Sequence, residues 1–160
     1  MPGTGASMAA VDPIVTVPVT ALAGYLLGSI PVAGIVARRR RGPDLRTVGD
    51  RNPGYWNAKA TLGRRAALPV FVGDVAKGAL GALVGAALAD GQWWLSYLGG
   101  FAAMVGHAWP VFARFRGGRS VLTFVGAALV VSPITALVAI GVLLVVLAVT
   151  RSFAWAARAG

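Results

Sequence analysis

The sequence has no cysteine, no glutamate and only one histidine, His107. Without cysteine neither a disulfide nor thiolate chemistry is available, and one imidazole with five aspartates leaves few ligands for a metal ion. Charged residues make up 12% of the chain, against 57% hydrophobic residues. This composition is too apolar for a single soluble core. It predicts an integral membrane protein without a metal site.

The basic residues are concentrated in one part of the chain. The formal net charge is +10, and nine of the fifteen basic residues lie between Arg38 and Arg65. In a soluble protein such a charge would suggest a nucleic-acid partner. Here the basic residues lie between two apolar runs, which favours membrane topology, lipid headgroups or an anionic substrate, and we expect no nucleic-acid partner.

The apolar runs predict an all-α membrane protein with about five transmembrane segments in a single domain, residues 13–160, after a flexible tail at residues 1–12. The runs cover approximately residues 13–37, 66–89, 93–112 and 121–150. We expect the last run to divide at Ser132-Pro133 into two short, tilted helices. The positive-inside rule places the loops near 38–65 and 113–120 in the cytoplasm, so the N-terminus lies outside and the C-terminus inside.

Polar candidates gather at the predicted cytoplasmic ends of the helices: Ser29, Arg46, Asn52, Asn57, Asp74, Lys77, His107 and Arg119. Charge within a membrane helix costs about 2.5–3.5 kcal/mol near its centre, so these groups should face protein or water. Asp74 and Lys77 are three residues apart and share a helix face, either as part of a site or as a structural ion pair. His107 is either a site residue or a hydrogen-bond partner between helices.

The most informative stretch is residues 106–120, where an aromatic apolar run gives way to three arginines and Gly117-Gly118. Glycines let backbone N–H groups converge on an oxyanion, and flanking guanidinium groups supply charge and forked donors. A positive turn that only sets topology is the alternative. Residues 49–57 form a second candidate loop, in which Asn52, Gly54 and Asn57 could contact a phosphate or a polyol, although Asn-Pro-Gly is also an ordinary turn sequence.

The chain has no Ser-His-Asp order of convincing spacing and no His-x4-Asp pair. A basic pocket rich in hydroxyls and amides at the membrane surface suits a reaction that joins an anionic soluble substrate to a lipid. We therefore predict a site that holds phosphates rather than one that generates a nucleophile.

Four ordered motifs resemble the bacterial membrane acyltransferases that move an acyl chain from acyl phosphate to glycerol 3-phosphate. Residues 28–31 match that family's GSIP, and residues 44–57 stand where it has a D-I-R…G-S-x-N-x-G-A-T-N loop. Residues 73–78 resemble its L-D-x-x-K-G, and residues 106–120 are similar to G-H-x-F-P-x-F-x-x-F-x-G-G-K-G. Ser132-Pro133 and Thr150-Arg151 also fall where the family has them.

The resemblance implies a compact helical enzyme of the bacterial inner (plasma) membrane, multi-pass, with its active site near the cytoplasmic face and no cofactor. Its product would be lysophosphatidic acid, with inorganic phosphate. The implied catalytic residues are Ser29, Arg46, Asp74, Lys77 and His107. The implied substrate-binding residues are Asn52, Gly54, Asn57, Gly117, Gly118 and Arg119. The implied partners are acyl phosphate, glycerol 3-phosphate, membrane lipids, and a further copy of the chain or a full-length relative.

This sequence departs from the family pattern at several positions. Asp50 replaces a serine, Tyr55-Trp56 replaces Ala-Thr, Arg119 replaces a lysine and Ser120 a glycine. Members of the family continue into two further helices and an H-R-x-N-I motif, which has no counterpart up to Gly160, and His107 is not taken to fill that role. A catalytically degenerate relative that binds lipid or phosphate as a membrane subunit is therefore the alternative function. A transporter is disfavoured, because the charges are confined to one face.

Overall fold

The computed structural model describes residues 12–89 and 92–150, and within these ranges the chain is helical, with no strand. The described α-helices are α1 (Pro13–Gly28), α2 (Val32–Arg39), α3 (Tyr55–Leu62), α4 (Arg64–Ala87), α5 (Trp94–Ala108), α6 (Val121–Val131) and α7 (Pro133–Thr150). A short 3₁₀ helix, Val111–Ala113, follows α5. The all-α prediction is confirmed for these ranges.

The first helix begins at Pro13, where the sequence indicated, but the residue before it is its N-cap. Asp12 was assigned to a flexible tail, but its carboxylate caps α1 by accepting a hydrogen bond from the Ile14 N–H at 2.9 Å, and Pro13 occupies the first helical position. A short carboxylate is a favourable N-cap, and proline is tolerated where the helix leaves N–H groups unpaired. Residues 1–11, the rest of the predicted tail, lie outside the described ranges.

Two described segments are long and apolar enough to cross a membrane by length and composition. They are Pro13–Arg39, with a mean hydropathy of 1.8, and Arg64–Ala87, with 1.6. The first is interrupted, because α1 ends at Gly28 and α2 begins only at Val32 after Pro31. The predicted break in the last run is also present, with α6 ending at Val131 and α7 beginning at Pro133. The number of transmembrane segments and their orientation stay predictions.

The basic segment between α2 and α4 is more structured than a loop. The sequence indicated a turn over residues 49–57, but the turn ends at Gly54 and α3 begins at Tyr55. A small core fixes α3 to its neighbours, with Leu45 and Ala58 packed against Ala33, Ala37, Ala67 and Val70. The motif residues of this segment therefore belong to a folded cap on the helical bundle.

The bundle is held together by close backbone contacts at glycine. A Cβ added to Gly28 of α1 would collide with the Ala103 carbonyl of α5, and one added to Gly78 of α4 would collide with the Thr123 carbonyl of α6. Small residues permit this close approach, which supplies van der Waals contact where lipid gives little hydrophobic drive. The ends of α1 and α5 and the start of α6 are consequently brought together around the middle of α4, where Asp74 and Lys77 lie, and not around the end of α4 as the sequence indicated.

Candidate functional site

A cavity of about 200 Å³ lies where the interruption between α1 and α2 meets α4, the end of α5 and the loop that follows it. Its ionisable lining residues are Arg38, Arg46, Arg114, Arg116, Lys77, His107, Asp44 and Asp74. Four arginines and one lysine therefore face two carboxylates. Such a cavity has a positive potential that attracts anionic ligands.

Lys77 and Asp74 form a buried ion pair on the inner wall. Their side chains are 6% and 2% exposed, and Lys77 Nζ lies 3.0 Å from Asp74 Oδ1. Lys77 Nζ also donates a hydrogen bond to the Ile30 carbonyl at 3.2 Å. Because Ile30 lies in the interruption between α1 and α2, the broken helix supplies a carbonyl that solvates the ammonium group.

His107, near the end of α5, has different surroundings at its two ring nitrogens. Nδ1 lies 3.1 Å from Thr123 Oγ1 and 3.5 Å from Asp74 Oδ1. Nε2 lies on the opposite side, so close to Gly118 that a Cβ added there would collide with it. The ring thus connects the buried pair on α4 to the glycine-rich loop, and it lines the cavity.

The glycine-rich loop folds back over the end of α5. The Gly117 N–H donates to the Ala108 carbonyl at 3.2 Å, and the Gly118 N–H donates to the His107 carbonyl at 3.1 Å. A Cβ added to Gly117 would collide with the His107 carbonyl. Glycine is therefore required for this approach, and both N–H groups are already used in holding the loop rather than free for an anion.

Arg46 and Asp44 lie at the cavity edge in a forked ion pair. Arg46 also donates through Nη1 to the Ala113 carbonyl at 3.2 Å, which ties the cap to the loop after α5. The guanidinium hydrogen bonds hold the pKa of Asp44 below its ordinary value, and the carboxylate raises the pKa of Arg46. Arg46 keeps its charge and can present it to a second anion.

Asn57 is buried and organises the cap. Its Nδ2 donates to the Leu45 carbonyl at 2.8 Å and to the Val48 carbonyl at 2.9 Å, and its Oδ1 accepts from Thr61 at 3.2 Å. Gly49, with φ of 60°, passes so close to the Asn57 amide that a Cβ there would collide with it. The amide therefore sets the path of the chain that carries Asp44 and Arg46.

Arg119 faces away from the cavity. Its side chain is 69% exposed, and its Nη1 lies 3.7 Å from Asp50 Oδ2. Asp50 in turn accepts a hydrogen bond from the Asn52 N–H at 3.0 Å. The aspartate that departs from the family pattern thus pairs with the arginine that replaces the family lysine.

Comparison with known proteins identifies the family. The sequence profile described as "Glycerol-3-phosphate acyltransferase" matches residues 18–160. The chain belongs to this family. It is 46% identical over 123 residues to "Glycerol-3-phosphate acyltransferase 5" of Dehalococcoides mccartyi, covering 77% of this chain and 52% of that protein. It is 39% identical over 137 residues to the protein of Clostridioides difficile named "Glycerol-3-phosphate acyltransferase", covering 83% and 67%.

Solved structures agree with the family assignment. The crystal structure of PlsY (YgiH), an integral membrane glycerol 3-phosphate acyltransferase in its glycerol 3-phosphate form, superposes with a TM-score of 0.80 at 34% identity, covering 88% of this chain and 70% of that one. Its lysophosphatidic acid form gives 0.73 at 32% identity, covering 82% and 65%. The predicted all-α membrane fold and a membrane location are thereby confirmed. The chain spans about half the length of curated relatives such as the D. mccartyi protein.

The motif residues predicted from this family divide into two groups in the structure. Those that line the cavity are Arg46, Asp74, Lys77, His107, Gly117 and Gly118. Those that stand behind or beside it are Ser29, Asn52, Gly54, Asn57 and Arg119. Asn52 places its Oδ1 near Gly118, 3.1 Å from where a Cβ would lie, and Gly54 is the N-cap of α3.

Ser29 is fully buried between two cavity-lining residues, Gly28 and Ile30. Its hydroxyl has no hydrogen-bond partner among the described residues. An unpaired buried hydroxyl costs free energy, so Ser29 does not stabilise the fold through a hydrogen bond among the described residues.

Four cavity residues and one supporting residue were absent from the sequence-based site. Arg38 was interpreted as a stop-transfer residue, and Asp44 as part of a motif without a role of its own. Arg114 and Arg116 flank the glycine pair, and their position in that basic stretch was the available signal. Thr123 had no signal, because a single threonine in an apolar helix is uninformative. Among the described residues, no three His, Cys, Asp or Glu side chains form a group that could hold a metal ion.

Proposed function

We propose that this chain is a membrane acyltransferase that moves a fatty acyl group from acyl phosphate to glycerol 3-phosphate, giving lysophosphatidic acid and inorganic phosphate. The observation that carries the proposal is the cavity in which five basic side chains face two carboxylates at the polar end of a helical bundle. Both substrates are phosphate anions, and one carries an apolar chain. A basic cavity with apolar walls fits that pair.

We assign the phosphate-holding roles to the basic residues. Arg46 presents a guanidinium that keeps its charge, and Lys77 offers an ammonium group that pairs with Asp74 and donates to the Ile30 carbonyl. Ser29 supplies a hydroxyl without a partner among the described residues, and Gly117 and Gly118 let the loop pack closely against His107 at the cavity wall. The remaining motif residues lie outside the cavity lining, where they shape the cap and its charge: Asn52, Gly54, Asn57 and Arg119.

In the proposed reaction the glycerol hydroxyl oxygen attacks the acyl carbonyl carbon, and the bond from that carbon to the phosphate oxygen breaks. The electron pair leaves with the phosphate, which accepts the hydroxyl proton. Orientation of the two anions and neutralisation of their charge supply most of the acceleration. His107 is the competing acceptor, since its Nε2 faces Gly118 on the cavity side.

We further propose a multi-pass protein of a bacterial inner (plasma) membrane, with about five segments in one domain, the N-terminus outside and the C-terminus in the cytoplasm. The basic residues at the cavity end support a cytoplasmic site under the positive-inside rule. Membrane lipids surround the chain, and a second copy or a full-length relative is a further partner of the proposal.

The decisive experiment measures phosphate release and lysophosphatidic acid formation by the purified protein in lipid bilayers, given acyl phosphate and glycerol 3-phosphate. Turnover that is lost in Ser29→Ala supports the proposal. Absence of turnover from a folded protein, beside an active full-length relative, contradicts it. That result would favour the alternative of a lipid- or phosphate-binding subunit, which the outward position of Arg119 beside Asp50 supports.

A further inference from the structure

We propose that Thr123 and Asp74 hold the ring of His107 as the Nδ1-protonated tautomer, so that Nε2 faces the cavity as a hydrogen-bond acceptor. Thr123 is then a positioning residue that acts through His107. The tautomer depends on the atoms and charges around the ring and not on the reaction. Its effect on turnover rests on the acyltransferase function proposed above.

The two ring nitrogens have different neighbours. Nδ1 has two oxygen atoms beside it, Thr123 Oγ1 at 3.1 Å and Asp74 Oδ1 at 3.5 Å. Nε2 has the glycine-rich loop beside it, at Gly118, which lines the cavity with His107. A proton on Nδ1 therefore faces protein oxygens, whereas a proton on Nε2 would face the ligand space.

Electrostatics selects between these two forms. The Asp74 carboxylate, paired with Lys77 at 3.0 Å, accepts hydrogen bonds but donates none. If Nδ1 carried the lone pair, that lone pair would face a carboxylate oxygen and be repelled by it. If Nδ1 carries the proton, both the carboxylate and the threonine hydroxyl can accept it. An imidazole whose Nδ1–H is held by oxygen leaves a basic Nε2 on its other side.

Thr123 is held rigidly enough to act as this partner. Its side chain is fully buried, and its backbone is pressed against Gly78 of α4, where a Cβ would collide with the Thr123 carbonyl. Gly126, three residues later on α6, makes a similar contact with the Val75 carbonyl. The packing of α6 on α4 therefore fixes Thr123 against the helix that carries Asp74. The contact of α6 with α5, where Gly100 lies against Ala127, holds the hydroxyl beside the imidazole.

The single histidine of the chain makes the tautomer directly measurable. We would record ¹⁵N spectra of histidine-labelled protein in lipid bilayers at a pH where the ring is neutral. We expect Nδ1 to resonate as the protonated nitrogen and Nε2 as the bare one. The opposite assignment in the unmodified protein would overturn the proposal, whatever the variants do.

Matched variants at Thr123 test the positioning role. Thr123→Val keeps the shape and removes the hydroxyl, and we expect it to give a mixture of tautomers or a broadened ring signal. Thr123→Ser keeps the hydroxyl and should restore the spectrum of the unmodified protein. If the Thr123→Val spectrum were identical to that of the unmodified protein, the Thr123 hydroxyl would have no role in holding the tautomer. Should the valine variant not fold, the spectrum of the unmodified protein still decides the tautomer.

Steady-state kinetics of the same Thr123 variants test whether the ring tautomer affects turnover. With acyl phosphate and glycerol 3-phosphate, we expect Thr123→Val to lower kcat by roughly tenfold with little change in the KM for glycerol 3-phosphate, and Thr123→Ser to rescue it. A rise in KM with kcat unchanged would contradict a role through His107. If the unmodified protein shows the Nδ1-protonated ring but no turnover, the proposed function fails while the tautomer stands.

Discussion

Asp44 and Arg46 are joined by a forked ion pair, with Arg46 Nη2 2.7 Å from Asp44 Oδ2 and Arg46 Nε 2.9 Å from Oδ1. The Arg46 backbone N–H adds a further hydrogen bond to Oδ1 at 3.0 Å. These donors favour the ionised carboxylate, which is why the pKa of Asp44 lies below its ordinary value. The pair therefore couples the stability of the cap to pH.

The sign of this coupling is fixed by the direction of the shift. An aspartate with a lowered folded-state pKa stabilises the fold above its unfolded pKa, about 3.9, and loses that contribution as pH falls through the folded value. We expect Asp44→Asn to lower Tm at neutral pH. The difference in Tm between the variant and the unmodified protein should become smaller as the pH is lowered below about 4. Thermal scans of both proteins in detergent measure this difference.

Asp50→Asn is the matched control for that experiment, because Asp50 is as exposed as Asp44 but lies 3.7 Å from its arginine instead of 2.7 Å. Such surface pairs contribute little, about 0–1 kcal/mol. We expect a small Tm change at every pH. If the loss of Tm in Asp44→Asn did not vary with pH, ionisation of Asp44 would not contribute to the stability of the cap.

Arg116 should matter more to substrate binding than Arg119. Arg116 lines the cavity, whereas Arg119 is turned toward Asp50 and is 69% exposed. Since a hydrogen bond to a charged group is worth about 1.5–3 kcal/mol, Arg116→Ala should raise the KM for glycerol 3-phosphate by about tenfold or more. The measurement is KM for each substrate with the other held saturating.

Arg119→Ala is the comparison variant, and we expect only a small change in the KM for glycerol 3-phosphate. The family motif by itself implies the opposite, a larger effect on this KM at Arg119 than at Arg116. A larger effect at Arg119 would show that this side chain leaves Asp50 and turns into the cavity when substrate binds.

Ser29 and Ser96 should respond in opposite ways to removal of their hydroxyls. The Ser29 hydroxyl is buried and has no partner among the described residues, so Ser29→Ala should leave Tm unchanged or raise it while turnover falls. Ser96 donates to the Ala82 carbonyl at 2.9 Å, so Ser96→Ala should destabilise the fold by about 1 kcal/mol. Tm and turnover measured on both variants test this. A loss of Tm in Ser29→Ala equal to that in Ser96→Ala would argue for a purely structural serine.

The loop over α5 should not tolerate even one added methyl group. A Cβ on Gly117 would meet the His107 and Ala108 carbonyls, and relief of that overlap costs about 1–3 kcal/mol or moves the loop. We expect Gly117→Ala to lose turnover and to lower Tm. Gly141→Ala on α7 is the control, since no atom lies within 4 Å of the added Cβ and alanine favours a helix. Equal Tm losses in the two variants would contradict the packing argument.

Much of the fold could be predicted from the sequence because lipid imposes simple rules on it. The apolar runs indicated the helices, and the prolines at 31 and 133 indicated the two interruptions. Helix α3 could not be predicted in this way. Its eight residues carry no clear apolar face, and it is held by a core assembled from α2, α4 and Leu45.

The candidate site was predictable only where motif and geometry coincide. Arg46, Asp74, Lys77 and His107 were predicted and line the cavity. Arg38 was not, because the sequence cannot distinguish an arginine that stops transfer from one that turns back toward a cavity. Thr123 was missed because its partner, His107, lies on another helix, and only the packing of α5 against α6 brings the two together.

The interruption between α1 and α2 removes helical hydrogen bonds at the same place where it lines the cavity. A continuous helix would use the Ile30 carbonyl within its own hydrogen-bond ladder, whereas here the oxygen accepts from Lys77 Nζ as well as from the Val32 N–H. We therefore expect a substitution at Pro31 that makes the helix continuous to raise the stability of the fold and to remove the hydrogen bond from Lys77 to the Ile30 carbonyl.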